Sequence, residues 1–201
     1  MKKGKSTKKK LEPFEIGELD QYLFGQGNHY EIYEKMGAHK VVYKGQEGVY
    51  FAVWAPNARR VAVVGDFNGW DFEANYMERQ EPVGIYTCFV PGVKEGDLYK
   101  FCIETQQGKR IFKADPFANY AELRPGTASR VADISHLKWT DETWMTRRAT
   151  WDHKKNPMSI YEVHLGSWMR HPGRDDEGFY TYREFADAIV KYVKDMGYTH
   201  V

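Results

Sequence analysis

VAVVGDFNGW, Val61 to Trp70, runs four small apolar residues into a Gly, an acid, an aromatic, an amide, a second Gly and a Trp. The first half reads as a strand and the second as a tight turn punctuated by Gly65 and Gly69. Two readings of that turn stand side by side. Phe67 and Trp70 plug the core beneath it, with Asp66 and Asn68 satisfying its backbone through Asx-type bonds. Alternatively, they offer flat rings to a sugar, whose apolar C–H faces edged by hydroxyls suit aromatic stacking beside a few amide or charged partners. Spacing alone favours the core plug.

The pattern around the turn is one of period two. HKVVYK and VYFAVWAP, separated by Gly45-Gln46-Glu47-Gly48, read as a hairpin with a four-residue loop. RVAVVG, IYTCFV, LYKFCIE and RIFKAD follow, rich in Val, Ile, Tyr and Phe and bounded by Gly, Pro, Asn or Asp. With no helical pattern between Lys40 and Lys113, these short strands predict a mainly β fold built as a β-sandwich. Before them, FEIGELDQYL at 14–23 has apolar residues at helical spacing and predicts a short helix interrupted by Gly17.

From Asp115 to Lys155 the alternation disappears among Pro, Gly and Asx residues, which marks a long connection. MSIYEVHLGSW then reads as a strand buried on both faces. Thr181 and Glu184 form a capping box ahead of Phe185, Ala188, Ile189, Tyr192 and Met196 at helical spacing; Gly197 caps the helix end and YTHV starts another strand. These readings divide the chain into a basic tail and short helix at 1–23, a sandwich at 24–115, a linker at 116–155 and the start of a βα barrel at 156–201. A lone βα unit cannot cover its own parallel sheet, so a larger α/β domain is expected beyond Val201.

Composition bounds the function. With 42% apolar and 15% aromatic residues in 201, the chain can bury a real core. Net charge is +1, but six lysines and no acid fall in the first ten residues, which leaves −5 for the rest by subtraction. That run reads as a flexible tail; it lacks the interleaved aromatics of a nucleic-acid surface. No signal peptide or membrane span is legible, and Cys88 and Cys102 stand apart from any metal-ligand spacing. A cytoplasmic protein with reduced thiols, no metal and no cofactor is expected.

FAVWAPNARRVAVVGDFNGW followed by YKF resembles the family 48 carbohydrate-binding module, an immunoglobulin-like sandwich found in front of α-glucan-active barrels. YLFGQGNHYEIYEKMGAH before it, and IYEVHLGSWMR with YREFADAIVKYVKDMGYTHV after it, are similar to the branching enzymes of glycoside hydrolase family 13. The resemblance implies that Trp70 stacks on glucan, that Lys100 hydrogen-bonds it, and that Phe112 stands at the second stacking position, normally a Trp. The Asn that completes the site in sugar-binding members has no counterpart in GTASRV, where Ser129 or Arg130 falls.

The implied partner is an α-glucan. The implied reaction is a retaining double displacement in which a glucan segment cut at an α-1,4 link passes to a 6-hydroxyl. The family's nucleophile, acid/base and third carboxylate lie on later barrel strands, and nothing before Val201 matches them, so the chain alone is expected to be inactive. Glu162 and His164, two apart on the expected strand, read as a hydrogen-bonded structural pair, and RHPGRDDEG as a solvated loop. Two other readings share this front end: a non-catalytic glucan-binding regulatory module, and a debranching or trehalose-releasing hydrolase.

Overall fold

The structure, a computed structural model, describes residues 11–152, 154–174 and 178–201. The lysine tail at 1–10 and the acids Asp175, Asp176 and Glu177 of the RHPGRDDEG loop lie outside the described residues. The chain divides into two units between Leu137 and Lys138.

In the first unit, β1 (Gly37–Tyr43), β2 (Gln46–Trp54), β5 (Ile85–Pro91) and β4 (Glu78–Gln80) form one antiparallel sheet in the order β1-β2-β5-β4. A second sheet has β3 (Arg60–Gly65) beside β6 (Leu98–Glu104). The other edge of β6 pairs with β7 (Arg110–Lys113) along one half and with β9 (Ser129–Arg130) along the other, and β8 (Tyr120–Ala121) joins β9. Val49, Phe51 and Val53 of β2 and Tyr86 of β5 meet Val61, Val63, Tyr99 and Phe101 of β3 and β6 in one buried core. Two sheets closing on interdigitated inner faces make a β-sandwich.

VAVV has no polar alternation because β3 is buried on both sides. Val61 and Val63 face the sandwich core, while Ala62 and Val64 face outward beneath Phe72 with Cys102. β2 shares this property: Tyr50 and Ala52 on its outer face pack with Ile16, Ile32 and Met36 from the segment preceding β1.

Several local expectations shift. The hairpin loop between β1 and β2 has two residues, Lys44 and Gly45, at φ 50° and 78°. That is the left-handed pair that matches hairpin twist, and it makes Gln46, Glu47 and Gly48 strand. Gly48 stays Gly because a Cβ there would lie 2.4 Å from Val90 O. The first helix, α1 (Glu18–Gly25), begins after Gly17, whose N–H donates to Asp20 Oδ2 at 2.7 Å. Gly17 is therefore its N-cap and not an interruption. The stretch expected as a linker over 116–155 opens with β8 and β9, and Val131 lies in the sandwich core, so its first part belongs to the sandwich.

The second unit contains α2 (Glu142–Thr150), α3 (Leu165–Trp168) and α4 (Tyr182–Asp195). The capping box of α4 forms: Glu184 N–H donates to Thr181 Oγ1 at 3.3 Å and Thr181 N–H to Glu184 Oε2 at 2.8 Å. At its far end Tyr198 N–H donates to Val193 O and Gly197 N–H to Lys194 O, with Gly197 at φ 78°, the pairing of a Schellman cap. The expected MSIYEVHL strand is reduced to one parallel bridge, Ile160 with His200, and Leu165–Trp168 is helical. A parallel strand buried on both faces needs paired neighbours on both sides, and among the described residues only the His200 segment lies beside it. The Glu162–His164 pair does not form; His164 Nδ1 meets Ser167 Oγ at 3.1 Å instead.

Candidate functional site

Phe67 and Trp70 part company. Phe67 turns inward, its ring centroid 5.8 Å from that of Phe51 in the core. Trp70 turns outward and remains 38% exposed, so the core reading holds for the first ring and fails for the second. The backbone explains the split: Gly69 and Trp70 both adopt left-handed conformations, φ 63° and 62°, which throw the indole away from the turn. A non-Gly residue in that region is uncommon and marks a constraint imposed by its surroundings.

The turn's two polar residues supply that constraint. Asn68 Oδ1 accepts the Gly65 N–H at 2.9 Å while its Nδ2 donates to Val63 O and Asn75 Oδ1. Asp66 divides its carboxylate: Oδ2 accepts the Leu98 N–H at 2.9 Å and Oδ1 accepts the Trp70 Nε1–H at 3.2 Å. Gly65 lets the strands close here, since a Cβ would sit 2.2 Å from Leu98 O.

Register brings the other two residues to the same side. Lys100 of β6 lies opposite Val64 of β3, and Cys102 lies opposite Phe112 of β7. Side chains two apart on a strand share a face, so Lys100, Cys102 and Phe112 all point outward while Tyr99 and Phe101 fill the core. Phe112 is more than half exposed. Lys100 Nζ donates to Thr127 Oγ1 at 2.7 Å, which holds the ammonium over the sheet. The outer face of the second sheet thus presents an indole at the end of β3, an ammonium on β6 and a phenyl ring on β7, with no direct contact among the three in the described residues.

The opposite end of this face is closed. Phe72 covers Ala62 and Cys102, with the Arg110 guanidinium 4.0 Å from its ring centroid and Tyr76 edge-on. Glu73 pairs with Arg110 at 2.5 Å and accepts the Tyr76 hydroxyl. Ser129 plays no part in the open face: it is buried opposite Tyr99, and its Oγ accepts the Asp115 N–H at 2.8 Å. Arg130 lies over Tyr120. The polar residue beside Lys100 is Thr127, which sequence reasoning missed, as it did Asp66's role in seating the indole. The signal for Asp66 lay in its being four residues before Trp70 in a turn; Thr127 had none, because it reaches Lys100 only through the β6–β9 pairing.

Two exposed rings offer stacking surfaces and one lysine and one hydroxyl offer hydrogen bonds. The described residues contain no group of three or more His, Cys, Asp or Glu placed to hold a metal ion. Both cysteines are free, and burial pushes the Cys88 thiol up to about 12, which leaves it unreactive. No helix of the described residues is long and apolar enough to cross a membrane.

Residues 35–118, which run from just before β1 through β7, match carbohydrate-binding module 48, the isoamylase N-terminal domain. These residues belong to the carbohydrate-binding module 48 family. The module's sheet extends past the matched region, through β8 and β9. Over 186 residues the chain is 57% identical to the 1,4-alpha-glucan branching enzyme GlgB of Butyrivibrio fibrisolvens, covering 92% of this chain and 29% of that protein. The corresponding enzyme of Protochlamydia amoebophila is 49% identical over 186 residues, 92% of this chain and 25% of that protein. The chain therefore spans between a quarter and three-tenths of the length of these curated relatives.

Among solved structures, the catalytic module of the glycogen-degrading pneumococcal virulence factor SpuA in complex with an inhibitor superposes with a TM-score of 0.57 at 22% identity, over 83% of this chain and 26% of that one. A second structure of that SpuA catalytic module gives 0.55 at 21% identity, over 83% and 26%. At these identities the similarity is one of fold alone.

Proposed function

We propose that this chain forms the module and barrel-entry part of a 1,4-alpha-glucan branching enzyme, and that the face carrying Trp70, Lys100 and Phe112 contacts the α-glucan. The observation that carries the reading is the 57% identity over 186 residues, because it runs across both units and not across the module alone. A free-standing regulatory module would need no counterpart of the second unit.

The reaction breaks an α-1,4 link, carries the cut segment on an enzyme carboxylate and forms an α-1,6 link. The proton of the accepting 6-hydroxyl passes to the acid/base residue that protonated the leaving chain. Atoms and charge balance without a metal or organic cofactor. Trp70, Lys100 and Phe112 take none of these catalytic roles; they bind and position. A module that holds one region of a long glucan raises the effective concentration of neighbouring links at a catalytic centre in the same protein. Two free cysteines suit a reducing compartment, and we place the protein in the cytoplasm on that ground.

The test is to incubate the protein encoded by the whole gene that contains this chain with amylose, and to count α-1,6 links. New α-1,6 links with no accompanying release of free sugar support the reading. Hydrolysis alone would move the protein to the debranching or trehalose-releasing class.

A further inference from the structure

The loop that brings Thr127 to Lys100 is built around one carboxylate. β8 and β9 pair Tyr120 with Arg130 and Ala121 with Ser129, so the next opposed pair is Glu122 with Ala128. Half of that pair is ordinary, since Glu122 N–H donates to Ala128 O at 2.9 Å. In the other half Ala128 N–H donates to the Glu122 side chain, at 3.0 Å from Oε2. A hydrogen-bonded antiparallel pair exchanges both bonds through its backbone. Here a side-chain oxygen stands in for the strand carbonyl, and the ladder ends where the loop begins.

The loop at 123–127 closes over that carboxylate. Gly126 N–H donates to Leu123 O at 3.0 Å, and a Cβ on Gly126 would lie 2.1 Å from Glu122 Cδ. The carboxylate therefore occupies the space that a side chain at 126 would take. Thr127 stands between Gly126, which lies against Glu122, and Ala128, which donates to it. Its Oγ1 accepts from Lys100 Nζ at 2.7 Å, and this is the one hydrogen bond that the ammonium makes among the described residues. A lysine head on a flexible four-carbon stem keeps one direction only while such a partner is itself fixed.

The geometry points to Glu122 as a positioning residue for the glucan face. Through residues 126 and 128 it sets Thr127, and through Thr127 it aims the Lys100 ammonium. What the role needs from Glu122 is an acceptor oxygen, because its partner is a backbone N–H and not a cation. This role rests on the α-glucan-binding face proposed above, and it adds to that face a residue placed behind the ones that meet the sugar.

The test is an amide-resolved NMR titration of the full 201-residue chain with maltotriose, with affinity read at Lys100 and Phe112. Glu122→Ala is expected to weaken binding about threefold or more, the effect of one lost hydrogen bond. Glu122→Gln keeps the acceptor, drops the charge and is expected to bind as the wild type does. Gly126→Ala pushes the carboxylate aside without removing it and is expected to match Glu122→Ala. In a Thr127→Val background Glu122→Ala is expected to add nothing, since the path to Lys100 is already cut. Wild-type affinity in Glu122→Ala and Gly126→Ala overturns the positioning role and leaves the glucan face standing. Equal losses in Glu122→Gln and Glu122→Ala overturn the acceptor role, and an undiminished effect in the Thr127→Val background overturns the route through Thr127. A wild type without saturable shifts at Lys100 and Phe112 overturns the glucan face and this role with it.

Discussion

The indole N–H of Trp70 donates to the Asp66 carboxylate, whose other oxygen accepts the Leu98 N–H two residues before Lys100. One acidic side chain thereby ties the exposed ring to the strand that carries the ammonium. The Asp66–Trp70 bond is solvent-exposed, so its net stabilisation is small, about 0.5–1.5 kcal/mol. Its larger effect is on order: it selects one indole orientation out of several.

Asp66→Ala should therefore cost little stability and more binding. Denaturant unfolding is expected to shift by about 1–2 kcal/mol, since the Leu98 N–H also loses its partner. Retention on an α-glucan affinity gel is expected to fall severalfold, with Asp66→Asn in between because it restores one acceptor. Full retention in Asp66→Ala would show that the ring needs no such tether.

A second carboxylate works from inside. Asp115 is buried; Tyr99 donates its hydroxyl to Oδ2 at 2.5 Å and Phe117 its N–H to Oδ1 at 2.8 Å. Burial, outweighing those hydrogen bonds, raises the Asp115 carboxyl above its ordinary range, and burial together with Asp115 raises the Tyr99 phenol. A raised carboxyl means that the folded chain holds its proton where the unfolded chain has released it. Stability therefore falls as pH rises from the ordinary aspartate value through the raised one, and is level above. Denaturant midpoints measured across the acid range should show that decline in the wild type and lose it in Asp115→Asn. Asp115→Ala leaves two buried donors unpaired and should cost about 2–4 kcal/mol at neutral pH.

Asp20 titrates in the opposite sense. Burial alone would raise it, but hydrogen bonds from Lys35 at 2.6 Å, His29 at 2.8 Å and the Gly17 N–H outweigh that penalty and lower it. Its stabilisation is present above the ordinary aspartate value and is lost as pH falls through the lowered one. Since Lys35 also donates to Glu15 O, the cluster pins the amino-terminal segment that packs Ile16 against Tyr50. Hydrogen exchange at α1 should accelerate in acid ahead of exchange in β2 and β5. Asp20→Ala should show the same acceleration at neutral pH, and equal protection in wild type and variant would contradict the pinning.

The sandwich was legible because its strands are long enough to carry a period and are bounded by turn residues. β8 and β9 were not, because two residues carry no period; their place is set by β6, which offers an unpaired edge at Leu98 and Tyr99. The hairpin loop was misplaced because Gly48 looked like turn chemistry, whereas its lack of a side chain answers a close approach by the neighbouring strand. MSIYEVHL carries the apolarity of a buried strand, but apolarity does not supply the neighbours that a parallel ladder requires. In the site, spacing could not divide Phe67 from Trp70. Both sit in the same turn, and only the left-handed backbone at Gly69 and Trp70 sends one ring in and the other out.

Retention on an immobilised α-glucan, wild type against Trp70→Ala, decides whether the outward indole is a sugar platform. The wild type is expected to be retarded, and Trp70→Ala to run at least severalfold closer to an inert marker while its circular dichroism and unfolding midpoint stay near those of the wild type. Equal retention of two equally folded proteins would remove Trp70 from the binding face.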